Sequence, residues 1–236
     1  MTKNKLKIFA VVLSLALLSC CVFCNSFSSS TPPKEYVVVI DPGHGGIDGG
    51  AVGVHTGNKE SDLVLDISKF LSEYLERAGI GVVLTRRDQN GLYGTTESGF
   101  KRRDMQKRKE ITLSANPSLL VSIHLNKHPS SSRRGVQAYY QKSDDKSSYL
   151  AQNIQDVFNT HLNMPQQNRK YSILSGDFWM CKIISPSVII ECGFLSNKED
   201  DSLLDSREYR KHVAYLIFNG IITYLINQTD FIPKNL

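Results

Sequence analysis

The 236-residue sequence lacks several features that each indicate a particular class of protein. After the first 30 residues it has no apolar stretch of about 18 residues, which excludes a predicted transmembrane helix from that part of the chain. It has no long block of like charges and no extended low-complexity tract, and its 41% hydrophobic and 22% charged residues exclude intrinsic disorder. The roughly 200 residues after the first 30 are predicted to form one domain with a sizeable core.

A strong excess of basic charge is also missing from the predicted domain. The formal charge is +5, but Lys3, Lys5 and Lys7 lie at the start of the chain, and the rest carries 25 basic against 23 acidic side chains. The basic residues that remain are interleaved with carboxylates, whereas nucleic-acid binding needs a basic stripe on the folded surface. We therefore predict no nucleic-acid partner.

Cysteine is scarce in the predicted domain as well. Five cysteines are present, and two of them, Cys181 and Cys192, lie beyond residue 34. One disulfide between them is an option in an oxidising compartment. Cys192 ends an apolar strand, however, where a free buried cysteine is at least as common. The sequence leaves both interpretations open.

The first residues have the order of a bacterial signal peptide. The three lysines precede an apolar run of about eleven residues, 8–18, which is too short to cross a bilayer comfortably. We predict a signal peptide over 1–24, a serine-rich flexible tether over 25–34 and the folded domain over 35–236. The protein is therefore expected to be exported to the periplasm or cell envelope.

The end of the leader, Leu17-Leu18-Ser19-Cys20, resembles a bacterial lipobox, in which the cysteine is lipidated and becomes the mature N-terminus. It predicts a lipoprotein-type signal peptide and a lipid anchor to a membrane through Cys20. Leu18 is larger than the pattern prefers, so cleavage without lipidation is the alternative.

Segments with strand character alternate with segments of helical periodicity along the predicted domain. Predicted strands are 36–40, 81–85, 119–123, 136–140 and 187–190, and predicted helices are 59–77, 103–114, 149–162 and 207–226. This alternation predicts a single α/β domain whose sheet is covered by helices on both faces.

Four residues able to bind or serve a metal ion are predicted to meet at one rim of the sheet. His44, His124 and Glu191 lie at or within four residues of the end of a predicted strand, and Glu60 lies in the first turn of the next helix after His44. Ligand sites in such sheets lie at the carboxyl ends of the strands. Two imidazoles and a carboxylate form a ligand set of catalytic zinc, and a further carboxylate can act as general base. We predict a Zn²⁺ site of His44, Glu60 and His124, with Glu191 as the base.

Each of these residues also has an ordinary structural interpretation. A lone histidine after a strand is usually a loop residue, and Glu60 fits a carboxylate at a helix N-terminus. Glu191 is harder to explain in that way, because a charge directly after Val188-Ile189-Ile190 is costly to bury without a partner. His55 and His128 are the reserve ligands.

Competing catalytic motifs fail or are weak. The glycine-rich segment after the first strand matches neither a phosphate-binding loop nor a dinucleotide fingerprint, and the sequence contains neither His-Glu-x-x-His nor Gly-x-Ser-x-Gly. Ser143 and Lys146 fit the Ser-x-x-Lys of penicillin-binding enzymes, a pattern expected by chance roughly twice in such a chain. An added serine-dependent D-alanine carboxypeptidase activity is therefore one alternative function.

The motifs around the predicted site resemble those of a known enzyme family, the zinc-dependent N-acetylmuramoyl-L-alanine amidases of the cell-separation type. The matching segments are VIDPGHGG at 39–46 with Asp48, Gly50 and Ala51, then Glu60, SIHLN at 122–126 and ECGFLSN at 191–197. The likeness extends from about Tyr36 to the last helix.

This resemblance implies a fold, a site and a reaction. The fold would be a mixed, mainly parallel sheet flanked by helices, His44, Glu60 and His124 would hold the zinc, and Glu191 would be the catalytic glutamate. The reaction would be hydrolysis of the amide between N-acetylmuramic acid and L-alanine in peptidoglycan, which releases stem peptides from the glycan. Peptidoglycan or a muropeptide would be the substrate.

Three departures from the family pattern carry expectations of their own. A leader and a short tether precede the domain where many relatives carry targeting domains, so a lipid anchor would supply localisation. About 44 residues separate Tyr140 from Ser185, too few for the helix that blocks the active site in some relatives, so an activator protein is not indicated. Residues 179–182, Trp-Met-Cys-Lys, replace plainer ones and leave the substrate-binding residues unknown. A catalytically silent wall-binding lipoprotein is the second alternative.

Overall fold

The computed structural model describes residues 36–228. The predicted signal peptide, the tether and Cys20 lie outside the described residues. The strands are β1 (Val37–Pro42), β2 (Gly81–Leu84), β3 (Leu119–Asn126), β4 (Gln137–Gln141), β5 (Leu174–Gly176) and β6 (Ser187–Phe194). The helices are α1 (Glu60–Arg77), α2 (Phe100–Ser114), α3 (Asp145–Phe158), α4 (Met164–Gln167), α5 (Lys198–Asp205) and α6 (Arg207–Gln228).

The strands form one six-stranded sheet in the order β2-β1-β3-β6-β4-β5. β1 pairs in parallel with β2 and β3, and β3 pairs in parallel with β6. β4 runs antiparallel to β6 and parallel to β5. The sheet is therefore mixed and mainly parallel, as the resemblance implied, and its central strands are apolar because both of their faces are covered.

Helices cover both faces of the sheet, which confirms the predicted α/β architecture. Alternate residues of a strand point to opposite faces. Val38 and Ile40 of β1 therefore face a large core formed with α1, α3 and α6. Val39 faces the other way, into a smaller cluster with Leu120 and Met180 against which α2 packs.

The same alternation places the predicted site residues on the α2 face of the sheet. His124 lies four residues after Leu120, whose side chain is in the smaller cluster. Glu191 follows Ile190, whose side chain is in the large core on the opposite face. Both site residues therefore point towards α2, on the face of the sheet that carries the smaller apolar cluster.

The first helix follows its predicted spacing closely. Leu63, Ile67, Leu71 and Leu75 recur every four residues, are at most 6% exposed and form the face of α1 that packs on the sheet. The helix ends just before Gly79, whose φ of 84° is the left-handed conformation typical of a helix C-terminus.

Several predicted boundaries are wrong. α2 begins at Phe100 rather than at Arg103, and α3 begins at Asp145 rather than at Tyr149, because each helix starts with a polar or charged turn that carries no apolar period. α3 also ends at Phe158 and continues as a π-helical turn, Asn159–Asn163, where the sequence predicts a regular helix. β5 and α5 were not predicted, although Asn197 caps α5 by accepting from the amides of Glu199 and Asp200.

We expect Asp144→Ala to lower the free energy of unfolding by about 1–2 kcal/mol, the usual cost of a lost N-cap. The Asp144 carboxylate accepts from the amide of Ser147 at 3.1 Å and from its hydroxyl at 2.6 Å, and the Ser185 hydroxyl donates to it at 2.8 Å. It therefore joins the start of α3 to the segment before β6. Urea unfolding at pH 7 measures the change.

The same experiment has a control and a pH dependence. Asp145→Ala, at the exposed neighbouring position, should change the free energy of unfolding by no more than about 0.5 kcal/mol. Although burial raises it, hydrogen bonds from Ser147 and Ser185 hold the pKa of Asp144 below its usual value. The cap's contribution is therefore present above the unfolded pKa and lost as pH falls through the folded one. Equal losses in the two variants would contradict the capping role.

No helix within residues 36–228 is both long enough and apolar enough to cross a membrane. Cys181 and Cys192 are free and buried, so the structure favours two thiols over the disulfide that the sequence left open. Burial raises the pKa of Cys181 to about 12 and that of Cys192 well above its usual value, which keeps both sulfurs protonated and unreactive.

Candidate metal centre

The loop after β1 brings His44 to the carboxyl end of the sheet. His44 itself has a left-handed backbone with φ of 60°, which turns its side chain back over the strand ends. Gly43 lies directly against His124 of β3, and a Cβ at position 43 would overlap the imidazole ring. Glycine is therefore required there for the two histidines to approach, and their ring centroids lie 5.1 Å apart.

Glu60, at the start of α1, lies between the two histidines. It is 2% exposed, and its Oε1 is 3.0 Å from Nδ1 of His124 and 3.2 Å from Nε2 of His44. The same Oε1 accepts from the amide of Leu125 at 3.0 Å, and Oε2 accepts from the amide of Ala51 at 2.8 Å. Burial alone would raise the pKa of Glu60, but the hydrogen bonds from the histidines hold it well below its usual range. Glu60 is therefore a buried carboxylate fixed in position.

These three side chains fit a zinc ion by chemistry and by spacing. One ligand atom from each of His44, Glu60 and His124 lies within 4.8 Å of the others. Donors held by one tetrahedral zinc at 2.0–2.2 Å are about 3.3 Å apart. The two distances from Glu60 Oε1 to the histidine nitrogens, 3.0 and 3.2 Å, are close to that value. Small shifts of these three side chains would bring their donor atoms to the distances of a zinc site.

The outer side of His44 has its own partner. Oδ1 of Asp48 lies 3.2 Å from Nδ1 of His44, and Lys101 of α2 is 3.7 Å from the other oxygen of Asp48. A carboxylate on the second ring nitrogen fixes the orientation and tautomer of a metal-binding histidine. Asp48 is therefore placed to orient His44, a role that the sequence alone did not reveal.

Two buried arginines hold the backbone of the His44 loop. Arg108 of α2, 2% exposed, donates to Asp41 and to the carbonyl of Pro42 at 2.7 Å, and to the carbonyl of His44 at 2.5 Å. Arg86 donates to the carbonyl of Gly43 at 2.8 Å and to that of Pro42 at 3.1 Å. The loop that carries a candidate ligand is thus fixed by guanidinium groups rather than by regular secondary structure.

Asp41 is the counter-ion of this arrangement. It is 1% exposed and accepts from Thr85 at 2.6 Å, from Arg108 at 2.7 Å and from Ser122 at 2.8 Å. Burial would raise the pKa of Asp41, but the charge of Arg108 and these three hydrogen bonds lower it. A buried charge pair with all partners satisfied makes the floor beneath the site rigid.

Glu191 lies beside the candidate metal ligands. It pairs with His124 in the parallel register of β3 and β6. Both residues therefore lie within strands, whereas the shorter predicted strands had ended just before them. Burial, with the nearby charge of Glu60, raises the pKa of Glu191 to about 7. Its Oε2 is buried and has no hydrogen-bond partner among the described residues. Such an atom is available to a water molecule or a substrate.

The reserve candidates lie outside this cluster. The backbone amide of His55 donates to Asp201 at 2.6 Å, and Nδ1 of His128 accepts from the amide of Ser130 at 3.0 Å. Ser143 lies in the turn before α3 with φ of 65°. The structure thus brings together the four residues predicted for the site, and their chemical roles stay predictions.

Comparison with known proteins places the chain among peptidoglycan amidases. A family model described as N-acetylmuramoyl-L-alanine amidase matches residues 38–223. The germination-specific N-acetylmuramoyl-L-alanine amidase of Bacillus subtilis (strain 168) is 33% identical over 204 residues, covering 85% of this chain and 84% of that protein.

Solved structures give the same result. The CwlD amidase from Clostridioides difficile, in complex with the GerS lipoprotein, is 35% identical with a TM-score of 0.76, over 81% of this chain and 99% of that chain. The N-acetylmuramoyl-L-alanine amidase from Clostridium difficile 630 is 28% identical with a TM-score of 0.70, over 83% of this chain and 99% of that chain.

Proposed function

This chain belongs to the N-acetylmuramoyl-L-alanine amidase family, and on that premise we propose how its residues carry out the reaction. It is a hydrolase of the amide bond between N-acetylmuramic acid and L-alanine in peptidoglycan, and it releases stem peptides from the glycan. The proposal assigns the metal, its ligands and the general base.

We assign the metal as zinc and its ligands as His44, Glu60 and His124. The supporting observation is that ligand atoms of two imidazoles and one buried carboxylate lie within 4.8 Å of one another at the carboxyl ends of the strands. Bound zinc supplies Lewis acidity, which makes water a nucleophile near neutral pH and polarises the amide carbonyl. Asp48 orients His44 from outside the ligand set.

Glu191 is assigned as the general base and acid. Its unpartnered Oε2 can accept the proton of the attacking water and then deliver it to the nitrogen of the leaving L-alanine. Arg86 and Arg108 act indirectly, by holding the backbone from Pro42 to His44 so that the imidazole does not move during turnover. A rigid ligand loop keeps the water and the carbonyl in a reactive arrangement.

We further propose an exported location with a lipid anchor through Cys20. Relatives at comparable similarity carry names such as probable cell wall amidase LytH, and the substrate itself lies outside the cytoplasm. The solved CwlD relative is in complex with the GerS lipoprotein. In this chain the segment between β4 and β6 includes α3, whose apolar residues pack in the large core on the face opposite α2. We therefore expect this enzyme to depend less on an activator.

The comparisons do not favour either alternative function. A silent wall-binding protein has no use for a buried carboxylate oxygen, Oε2 of Glu191, without a partner among the described residues and beside three metal-binding groups. The Ser-x-x-Lys match falls on the turn and cap of α3, where Asp144 accounts for the local sequence through its hydrogen bonds to Ser147. Ser143 has an exposed side chain in that turn.

The products of digestion test the proposal. Purified protein incubated with peptidoglycan should release stem peptides that begin with L-alanine and leave peptide-free glycan, identified by mass. A chelator should stop the release, and Zn²⁺ should restore it where Mg²⁺ does not, because imidazole ligands select zinc over hard oxygen-binding ions. Binding without any cleavage would support the silent protein. Chelator-resistant loss of D-alanine, abolished by Ser143→Ala, would support the serine peptidase.

A further inference from the structure

A cavity of about 310 Å³ is lined by residues of α2 and of the sheet. Two of the candidate metal ligands, His44 and His124, are among its lining residues, together with Ile189 of β6. Its size is at the lower limit of small-molecule binding sites. We call this cavity the sheet groove. The chemistry proposed for the metal centre does not account for the other side chains that line this cavity.

The walls of the sheet groove are apolar and aromatic. Phe100 and Met105 of α2 contribute to the lining, as do Phe178, Trp179 and Met180 from the segment before β6. Trp179 is 42% exposed, although its ring is the largest apolar side chain type in proteins. Phe100, Met105 and Phe178 are half-buried, so Trp179 is the exposed part of an apolar lining that also contains two candidate metal ligands, and this combination suits a substrate surface.

The backbone on both sides of Trp179 is held in place. The amide of Phe178 donates to Gln141 at 3.3 Å, and the Phe178 ring meets the ring of Tyr139 edge-on at 5.6 Å. On the other side, Met180 is 5% exposed in the smaller core. Asp177 and Lys182 bridge the segment with an ion pair of 2.5 Å. The exposure of Trp179 is therefore imposed by a braced segment rather than by a loose loop.

The charges that line the sheet groove suit the sugar of the substrate better than its peptide. Its lining contains four carboxylates and two cationic side chains, which are Asp41, Asp48, Asp104 and Asp177 against Lys101 and Arg108. A stem peptide carries carboxylates of its own, and both cations of this lining are already paired, Lys101 with Asp48 and Arg108 with Asp41 and Asp104, so they offer little to an added carboxylate. The muramoyl sugar is uncharged while its lactyl group is in the amide, and its C–H face can stack on an aromatic ring.

We propose that the sheet groove is the subsite for the muramoyl sugar of the glycan, with Trp179 and Phe178 as a stacking platform and Phe100 as a further apolar part of the lining. This inference rests on the proposed amidase function and names the part of the substrate that the groove takes. Trp179 is then a specificity-determining residue that touches the glycan at a distance from the scissile bond. Aromatic rings suit this task because they offer a rigid apolar face at low entropic cost.

A fluorescence titration tests the subsite without any turnover. Trp179 is the single tryptophan of the chain, so its emission reports directly on the sheet groove. A peptide-free muramoyl oligosaccharide whose lactyl carboxyls are capped as methylamides, which keeps it uncharged, should change the emission of the full-length protein in a saturable way, with chelator present to prevent turnover. Free stem peptide should leave it unchanged. A saturable change with the stem peptide, or none with the oligosaccharide, would overturn the proposal.

Kinetics provide the second arm. Trp179→Ala should lower kcat/KM about 10-fold on an N-acetylmuramoyl-peptide and change it less than about 2-fold on the D-lactyl-peptide that lacks the sugar. Trp179→Tyr should recover most of the loss. Tyr215→Ala, which removes another aromatic side chain that is 43% exposed, is the matched control and should change neither value.

The two arms separate this inference from the proposed function. Equal losses on both substrates, or a loss confined to the sugar-free one, would overturn the sugar subsite while leaving the amidase function intact. If the wild-type protein cleaved neither substrate, the proposed function would fail, and the titration would still decide whether the sheet groove binds glycan.

Discussion

Replacing His44 with alanine is expected to remove the bound zinc and to lower kcat/KM by at least about 1,000-fold, because metal catalysis supplies several kcal/mol to the transition state. His44 is a quarter exposed and lies in a loop, so its truncation leaves the core intact. Its left-handed φ of 60° is open to alanine at a modest cost, although histidine adopts it more often. Metal content by elemental analysis and rates on a muramoyl-peptide measure the two effects.

A second histidine in the same loop region provides the control for that experiment. His55 bonds to Asp201 through its backbone amide, which His55→Ala retains. This variant should keep both zinc and activity, although His55 was a reserve ligand on sequence grounds. If His44→Ala kept one zinc per chain, or if His55→Ala lost it, the ligand assignment would be wrong.

The architecture and the convergence of four residues could be predicted from the sequence because both depend on local pattern. Apolar strands alternating with amphipathic helices fix a covered sheet. Residues that follow such strands must then share one edge. The spacing of His44, Glu60, His124 and Glu191 therefore carried enough information to bring them together before any contact was known.

The supports of the site could not be predicted in the same way. Arg108 and Asp41 are 67 residues apart in the chain, and their contact depends on the path of a long side chain between a helix and a strand. Arg86 reaches the carbonyl of Gly43 across 43 residues of chain. A basic residue in a charged helix has no periodic feature that distinguishes a buried clamp from a solvated surface group.

The predicted starts of helices that begin with polar residues were wrong for a related reason. The start of α3 has no apolar repeat, and its position is set by hydrogen bonds of Asp144 to Ser147 and Ser185. The surroundings of Trp179 could not be predicted from its chain position either. Its chain position looked like a departure from the family pattern, and only the folded structure shows that it lines one cavity together with Phe100 and His44.

Glu191→Gln is expected to retain zinc while lowering kcat by at least about 100-fold, the usual contribution of a general base. The amide preserves the size of the side chain but cannot accept a proton from water. Because Glu191 is half-buried near the charge of Glu60 and its buried Oε2 has no partner among the described residues, a neutral amide should also fit the strand without loss of stability. Rates on a muramoyl-peptide, metal content and urea unfolding together separate these effects.

The matched control is Glu110→Gln on α2, an exposed glutamate whose ion pair with Lys107 lies at the surface. It should change neither rate nor metal content, since exposed pairs contribute little. Near-normal turnover of Glu191→Gln would refute its role as base, and the proton would then have to pass through another group. Loss of zinc in that variant would instead make Glu191 part of the metal site, because a general base does not hold the ion.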